Sequence, residues 1–213
     1  QMMSAGLQDT IVGGLEEQQS WDAQVYIGEG GEASIIAWAE ERGATYESLF
    51  EMPLGTVDDA EGLERVFTLV GLDAYNGGMR NVNVIEGERP QPSDGPSEVM
   101  MDEGSMTFLG WSVGEEHTVL LNGAEHDVSV VGVTRGELVR TMFFLRADLG
   151  DALGVNATSM YLALPDGVEV DASLAEVSMG VVERQTLING MNSLIEQQTQ
   201  IFQAMMYSVS YTH

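Results

Sequence analysis

The chain of 213 residues has no cysteine, no lysine and only three histidines. Without cysteine it cannot form disulfide bonds, thiolate zinc sites or cysteine nucleophiles. No segment approaches the roughly 20 consecutive apolar residues that a membrane-spanning helix requires. The sequence begins at Gln1 and carries no signal peptide, so we expect a segment of a longer protein.

Positive charge is also scarce, because eight arginines face 34 Asp and Glu residues and the formal net charge is −26. Such a surface repels the phosphates of nucleic acids and of anionic lipids, and we therefore expect no nucleic-acid partner. The loss of lysine beside retained arginine favours a halophilic source, and an acidic surface outside an ordinary cell is the alternative. Hydrophobic residues form 44% of the chain, which is enough for a buried core.

Both ends of the central region have α/β patterns. The first part predicts a strand, a helix that ends at Gly43, and two strands, at residues 21–27, 33–41, 45–54 and 63–72. The later part predicts a strand, a helix, a strand, a helical turn and a strand, at residues 141–145, 147–153, 159–164, 172–177 and 180–184. The two parts would form one lobe that is discontinuous in sequence.

The stretch between them, residues 77–135, is broken by glycines and prolines and predicts only strands, at residues 81–85, 98–101, 117–121 and 127–133. Asn122-Gly123 joins the last two as a hairpin, since this dipeptide favours a tight turn. We therefore predict an α+β protein. Its βαβ-repeat (porter-like) lobe comprises residues 21–76 and 136–184, and a small all-β lobe, residues 77–135, is inserted into it.

Two helices are predicted at the ends of the chain, over residues 1–20 and 185–213. The first carries an apolar stripe at Met3, Leu7, Ile11 and Leu15. The second has an alternating three- and four-residue apolar spacing, the seam Ile188, Met191, Ile195, Gln198, Phe202, Met205 and Val209. This pattern favours a pair of antiparallel stalk helices, and a helix packed on the core is the alternative.

The central region resembles the periplasmic core domain of MacB-like and FtsX-like permeases in the order and spacing of five segments. They are Ile85-Glu-Gly-Glu-Arg-Pro90, Glu98-Val-Met-Met-Asp102, Leu109-Gly-Trp-Ser-Val-Gly-Glu115, Val119 to Leu121, and Val128 to Val133, in which Val130-Val-Gly-Val133 stands for the family's closing strand. The chain departs from the family at Gly104-Ser105, where a small helix usually opens with alanine.

The resemblance implies a domain inserted between the first and second transmembrane helices of an ABC-transporter permease, on the extracytoplasmic side of the cell membrane. It also implies a cytoplasmic ABC ATPase, a second permease copy or homologue, and an extracytoplasmic cargo or partner protein of unknown identity. The domain would couple ATP-driven movement to export or extraction of a lipid, peptide, lipoprotein or drug. A free-standing secreted or surface-layer binding protein of a halophile is the alternative function.

The chemistry-bearing residues do not predict an enzyme, and we assign no catalytic, cofactor-binding or metal-binding residue. Gly28, Gly30 and Ala33 spell G-x-G-x-x-A between a strand and a helix, but Glu29 and Glu32 would repel a pyrophosphate, so a glycine-rich turn is favoured over a nucleotide site. Three further groups have weaker patterns. The first is a pair of possible metal ligands, His117 and His126. The second is a set of neighbouring carboxylates, Asp58-Asp59, Asp102-Glu103 and Glu115-Glu116. The third comprises the glycosylation sequon Asn156-Ala-Thr158 and a possible contact surface of the methionines Met191, Met205 and Met206.

Overall fold

A computed structural model describes residues 19–58, 62–75, 77–137, 139–154, 157–190, 192, 193 and 197. The ten strands are β1 (Ala23–Ile27), β2 (Thr45–Asp58), β3 (Glu64–Leu72), β4 (Val84–Gly87), β5 (Ser97–Asp102), β6 (Glu116–Leu121), β7 (Ala124–Thr134), β8 (Thr141–Leu145), β9 (Ser159–Ala163) and β10 (Ser178–Glu183). The helices with both ends described are α1 (Gly31–Arg42), α2 (Glu103–Leu109), α3 (Arg146–Leu153) and α4 (Ala172–Val177). Residues 184–190 begin a further helix.

Six strands close into a barrel. Hydrogen-bonded pairs run from β2 to β3, β8, β5, β7 and β6, and β6 returns to β2 through Gly55–Leu121 and Thr56–Leu120. Alternate side chains point inward and form an apolar core that includes Phe50, Phe67 and Phe144. Helices α2 and α3 add Met106 and Leu149 to this core. Because they follow the ends of the antiparallel strands β5 and β8, they lie at opposite ends of the barrel.

The sheet continues beyond the barrel from β2 through β9 and β1 to β10. Strands β1 and β2 are both antiparallel to β9, which lies between them, and α1 connects them in a split βαβ arrangement. A second apolar core lies between these strands and helices α1 and α4, around Val25, Ile35, Trp38 and Leu174. The loop 73–83 covers part of the barrel wall with Tyr75 and Val82.

Local sequence signals explain several element ends. Helices α1 and α3 end at Gly43 and Gly154, whose φ angles of 67° and 66° are left-handed. Asn122 and Gly123 have φ angles of 50° and 82°, as a tight hairpin turn between β6 and β7 requires. Helix α2 occupies the position where the chain departs from the family pattern, and the Asp102 carboxylate caps it by accepting a hydrogen bond from Ser105 N.

The strands of residues 77–135 do not form a sheet of their own. Strand β5 pairs with β8, and β6 pairs with β2, so both flanking parts of the chain supply neighbours to the predicted all-β lobe. The mixed α+β class is confirmed by these elements. The predicted domain bounds remain a prediction. Most residues of both predicted terminal helices, and all seam residues after Ile188, lie outside the described residues.

Candidate functional site

The two ends of the described domain meet at one place, which we call the junction: residues 19–22 and 183–185. Strand β1 begins beside the last residue of β10, with Ala23 opposite Glu183. The backbone N–H of Arg184 donates to the Asp22 carbonyl at 2.8 Å, and its guanidinium donates to the Gln19 carbonyl at 3.2 Å. The chain therefore enters and leaves the domain side by side.

The entering segment is also fixed to the loop 73–83. Ser20 N donates to the Met79 carbonyl at 3.0 Å, and Gln19 forms an isolated bridge with Arg80. Trp21 stacks on Tyr161 of β9, with ring centroids 4.9 Å apart. These contacts fix the backbone of Gln19 and Ser20 to the loop and the buried Trp21 ring to β9, so a force on the entering segment would act directly on the sheet.

Arg80 joins the junction to the barrel through a nearly buried charge cluster. Its guanidinium lies 3.0 Å from a Glu137 carboxylate oxygen and 3.7 Å from one of Glu51, with side-chain exposures of 13%, 16% and 34% for the three residues. Burial raises the pKa of Glu137, and Arg80 opposes this shift. Burial raises the pKa of Tyr161, which Arg80 also contacts, to about 12. Sequence reasoning missed this cluster because nothing in the local pattern distinguishes Arg80 from a surface arginine.

The glycine-rich segment forms the turn between β1 and α1. Gly31 N donates to the Gly28 carbonyl at 3.0 Å, and the Glu32 carboxylate accepts from the Ser48 hydroxyl at 2.5 Å. Strand β1 is antiparallel to both of its neighbours, whereas a dinucleotide fold places this turn in a parallel sheet. The geometry favours the structural turn.

The two histidines of the hairpin do not face each other. His117 lies opposite Val128, and His126 lies opposite Val119. His117 stacks on Trp111 at a centroid distance of 3.7 Å, whereas His126 shares a 2.9 Å hydrogen bond with the Ser97 hydroxyl. In the part of the chain that the structure describes, no three His, Asp or Glu side chains are placed to hold a metal ion.

Ser97, His126 and Asp148 form a polar cluster at the α3 end of the barrel, which sequence reasoning also missed. The Ser97 hydroxyl shares a hydrogen bond with the imidazole, and both groups act to lower the pKa of the nearby Asp148 carboxyl. Burial raises the pKa of Asp148, while Ser97 and His126 oppose the shift. In a catalytic triad the imidazole lies between serine and acid; among the described residues the imidazole of His126 is hydrogen-bonded to Ser97 but not to Asp148.

The adjacent carboxylates have different roles. Asp102 caps α2 and also accepts from Thr141 N at 3.0 Å, whereas Glu103 forms a bidentate pair with Arg135. Glu115 accepts from Ser112 N, and Glu116 is exposed at the start of β6. Asp59 and the remaining candidates, Asn156, Met191, Met205 and Met206, lie outside the described residues.

The fold is that of the extracytoplasmic domains of ABC-transporter permeases of the FtsX/MacB type, as two solved structures indicate. The extracellular domain of the noncanonic ABC-type transporter YknZ from Gram-positive bacteria is similar over 68% of this chain and 84% of its own, with 14% identity and a TM-score of 0.50. The periplasmic region of MacB from Actinobacillus actinomycetemcomitans is similar over 85% of this chain and 97% of its own, with 13% identity and a TM-score of 0.51. No protein-family model and no curated protein sequence matches the chain.

The resemblance found in the sequence is thus confirmed at the level of the fold. Among the described helices, none is long and apolar enough to cross a membrane.

Proposed function

We propose that this chain is the extracytoplasmic domain of an ABC-transporter permease, inserted between the first and second transmembrane helices of the full protein. The junction is the observation that carries this proposal. A domain inserted between two neighbouring spans must receive and return the chain at one place, and Ala23 and Glu183 are paired residues of adjacent strands. The likeness to YknZ and MacB domains supports the same function.

In the proposed mechanism, a cytoplasmic ATPase moves the membrane spans, and residues 1–20 and 185–213 carry the movement to the domain as stalk helices. The first would pull on β1 and the second on β10. Because β1 and β10 are hydrogen-bonded along their lengths, a relative sliding of the two stalks would have to break this pairing. The stalks are therefore expected to tilt or rotate together and to move the domain as a lever.

The lever would act on a lipid, peptide, lipoprotein, drug or extracytoplasmic partner, together with a second permease copy or homologue. No catalytic step is proposed for the domain itself. The folding units proposed are the stalks, residues 1–20 and 185–213, the discontinuous α/β lobe, residues 21–76 and 136–184, and the β lobe, residues 77–135. A free-standing binding protein is not favoured, since both structural neighbours are parts of transporters.

The experiment is a topology measurement on the full-length protein in its own membrane. Ser93 is exposed, and the chain has no cysteine, so Ser93→Cys gives a single label site within the domain. We expect a membrane-impermeant maleimide to label intact cells, and a cysteine on the partner ATPase to react only after lysis. Labelling of the Ser93 variant only after lysis, or a full gene without apolar segments of about 20 residues beside this region, would refute the proposal.

A further inference from the structure

The sheet ends in two edge strands, β4 and β10, and the two edges are protected differently. Strand β4 is short, carries Glu86, and is followed directly by Glu88-Arg89-Pro90. Charged residues and proline on an edge strand hinder pairing with a further strand. Strand β10 has no charged residue and no proline from Ser178 to Val182. The edge of β10 is therefore the one that the sequence leaves unprotected.

The outer edge of β10 is open among the described residues. Its backbone is paired with β1 alone, the Met179 side chain is 80% exposed, and a Cβ added at Gly180 would have no atom within 4 Å. In an antiparallel pair, alternate residues direct their N–H and C=O groups away from the partner strand. These groups on β10 are available to an extended polypeptide, as in proteins that bind a peptide as an additional strand.

Both faces of the sheet beside β10 are apolar. Val181 packs against the core that contains helices α1 and α4. Val182 lies on the other face, as does Tyr26 of β1, which is 40% exposed. A strand added to β10 would place alternate side chains next to each of these surfaces, and such contacts favour β-branched residues. The edge therefore suits a segment rich in valine, isoleucine or threonine.

Strand β10 ends at an acidic groove of about 570 Å³ beside the junction. The described charged residues that line it are four carboxylates and one guanidinium: Asp22, Asp166, Glu169, Glu183 and Arg184. The guanidinium lies 3.7 Å from the Asp22 carboxylate and donates to a backbone carbonyl, so the groove keeps an excess of negative charge. No three carboxylates among the described residues are placed to hold a metal ion. A long basic side chain is therefore the cation that suits this groove.

We propose that β10 binds an extended segment of another protein as an additional antiparallel strand, with a basic residue at the N-terminal end of the segment in the acidic groove. Antiparallel addition places that end beside Glu183, the last residue of β10. Charge complementarity favours this occupant, because the chain has net charge −26 and the groove has a surplus of carboxylates. A second copy is disfavoured, since its β10 brings no basic residue. The binding edge does not depend on the proposed transport function.

The test uses the complete chain and the fluorescent peptide Arg-Arg-Val-Thr-Val-Thr-Val, with binding measured by anisotropy at about 0.15 M salt, where the Debye length is about 8 Å. We expect saturable binding that slows amide hydrogen exchange in β10. Two further peptides carry N-methyl groups on alternate residues of the Val-Thr-Val-Thr-Val part, one on the valines and one on the threonines. Only alternate N–H groups of a strand face its partner, so one of these peptides should bind about tenfold or more weakly, and the other should retain most of the affinity. Equal binding of both N-methylated peptides would overturn the proposal.

Charge exchange tests the groove. Glu169→Lys with Glu183→Lys should lower the affinity for the basic peptide about tenfold or more and raise the affinity for a peptide with Glu-Glu in place of Arg-Arg. The matched control is Glu116→Lys with Glu125→Lys, two exposed residues of β6 and β7 at which the same change of charge falls outside the groove. The control should bind the basic peptide like the parent chain. Equal losses in the two folded double variants would show attraction to the net charge alone and would also overturn the proposal.

Two further outcomes would identify another occupant of the edge. Amides of β10 that exchange slowly in the monomeric chain without peptide would show that another segment of this chain covers the edge. Self-association in sedimentation equilibrium that protects the same amides would assign the edge to a second copy. Either result would replace the proposed protein segment and overturn the proposal.

Discussion

Arg184 donates its backbone N–H to the Asp22 carbonyl at 2.8 Å, although the two residues lie near opposite ends of the described chain. A second contact, 3.7 Å between the guanidinium and the Asp22 carboxylate, adds an ion pair at the same place. The Asp22 carboxylate also accepts from Leu164 N at 2.8 Å. Asp22 therefore binds the exit of the chain to β9, and the junction is part of the sheet.

The pairing of β1 with β10 predicts a disulfide between Gln24→Cys and Val182→Cys. These residues are directly opposed, and side chains of opposed residues lie on one face of a sheet with Cα atoms at bridging distance. The bridge would close a loop of about 160 residues and raise the free energy of unfolding by about 2–4 kcal/mol. Gel mobility under oxidising and reducing conditions, followed by urea unfolding, measures both effects.

The matched control is Gln24→Cys with Val181→Cys, in which the second side chain points to the opposite face. This pair should remain reduced. Equal oxidation of both double variants would show that β1 and β10 slide or separate, and the lever mechanism would then lack its rigid connection.

Sequence reasoning predicted elements whose signals are local. Gly43 ended α1, and Asn122-Gly123 made the β6–β7 hairpin, because a left-handed backbone favours these residue types. The closure of the barrel between Gly55 and Leu121 has no such local signal. It depends on pairing between strands that are distant in sequence, and the alternation of apolar and polar residues within each strand does not say which strands pair. The junction likewise follows from long-range pairing.

Replacing Arg80 should destabilise the domain strongly. Arg80→Ala removes the cation beside Glu137 and Glu51 and leaves two carboxylates in a largely buried position. Loss of one partner from a buried ion pair typically costs about 3–5 kcal/mol, and the exposure of Glu51 places this case near the lower end. The free energy of unfolding in urea provides the measurement.

Adding Glu137→Gln to Arg80→Ala should restore part of the loss, because the unpaired charge is removed. Arg135→Ala breaks an exposed pair with Glu103 and should cost far less than Arg80→Ala. Similar losses in the two arginine variants would mean that the Arg80 cluster is well solvated and does not join the junction to the barrel.

At low ionic strength, stability should rise as the pH falls through the raised carboxyl pKa values towards the unfolded value of about 4. Burial raises the pKa of Glu47, Glu137 and Asp148 above their ordinary values. In the window between the unfolded pKa of about 4 and these raised values, the folded state binds more protons than the unfolded state. Protonation therefore favours folding in that window. Urea unfolding at a series of pH values measures the slope.

Glu47→Gln tests the contribution of one group to this slope. The amide oxygen can still accept the hydrogen bond from Met79 N, now 2.5 Å from the carboxylate, but the side chain no longer titrates. Asp148→Asn on α3 provides a second case. We expect a shallower rise with falling pH in each variant, and slopes equal to that of the parent chain would contradict the assignment.

Salt should stabilise the domain, because its net charge of −26 over 213 residues leaves many carboxylates repelling one another. Screening weakens attraction as well as repulsion, but only eight arginines are present, and exposed ion pairs contribute only about 0–1 kcal/mol each. The Debye length falls from about 10 Å at 0.1 M to about 3 Å at 1 M, so the net effect of salt is stabilising. We expect the Tm to rise steeply between about 0.1 M and 2 M sodium chloride. Sodium chloride is used because sulfate would also strengthen apolar burial, so a rise of the Tm in chloride assigns the effect to charge. A flat or falling Tm in chloride would show that the acids are locally compensated and would remove the support for a halophilic source.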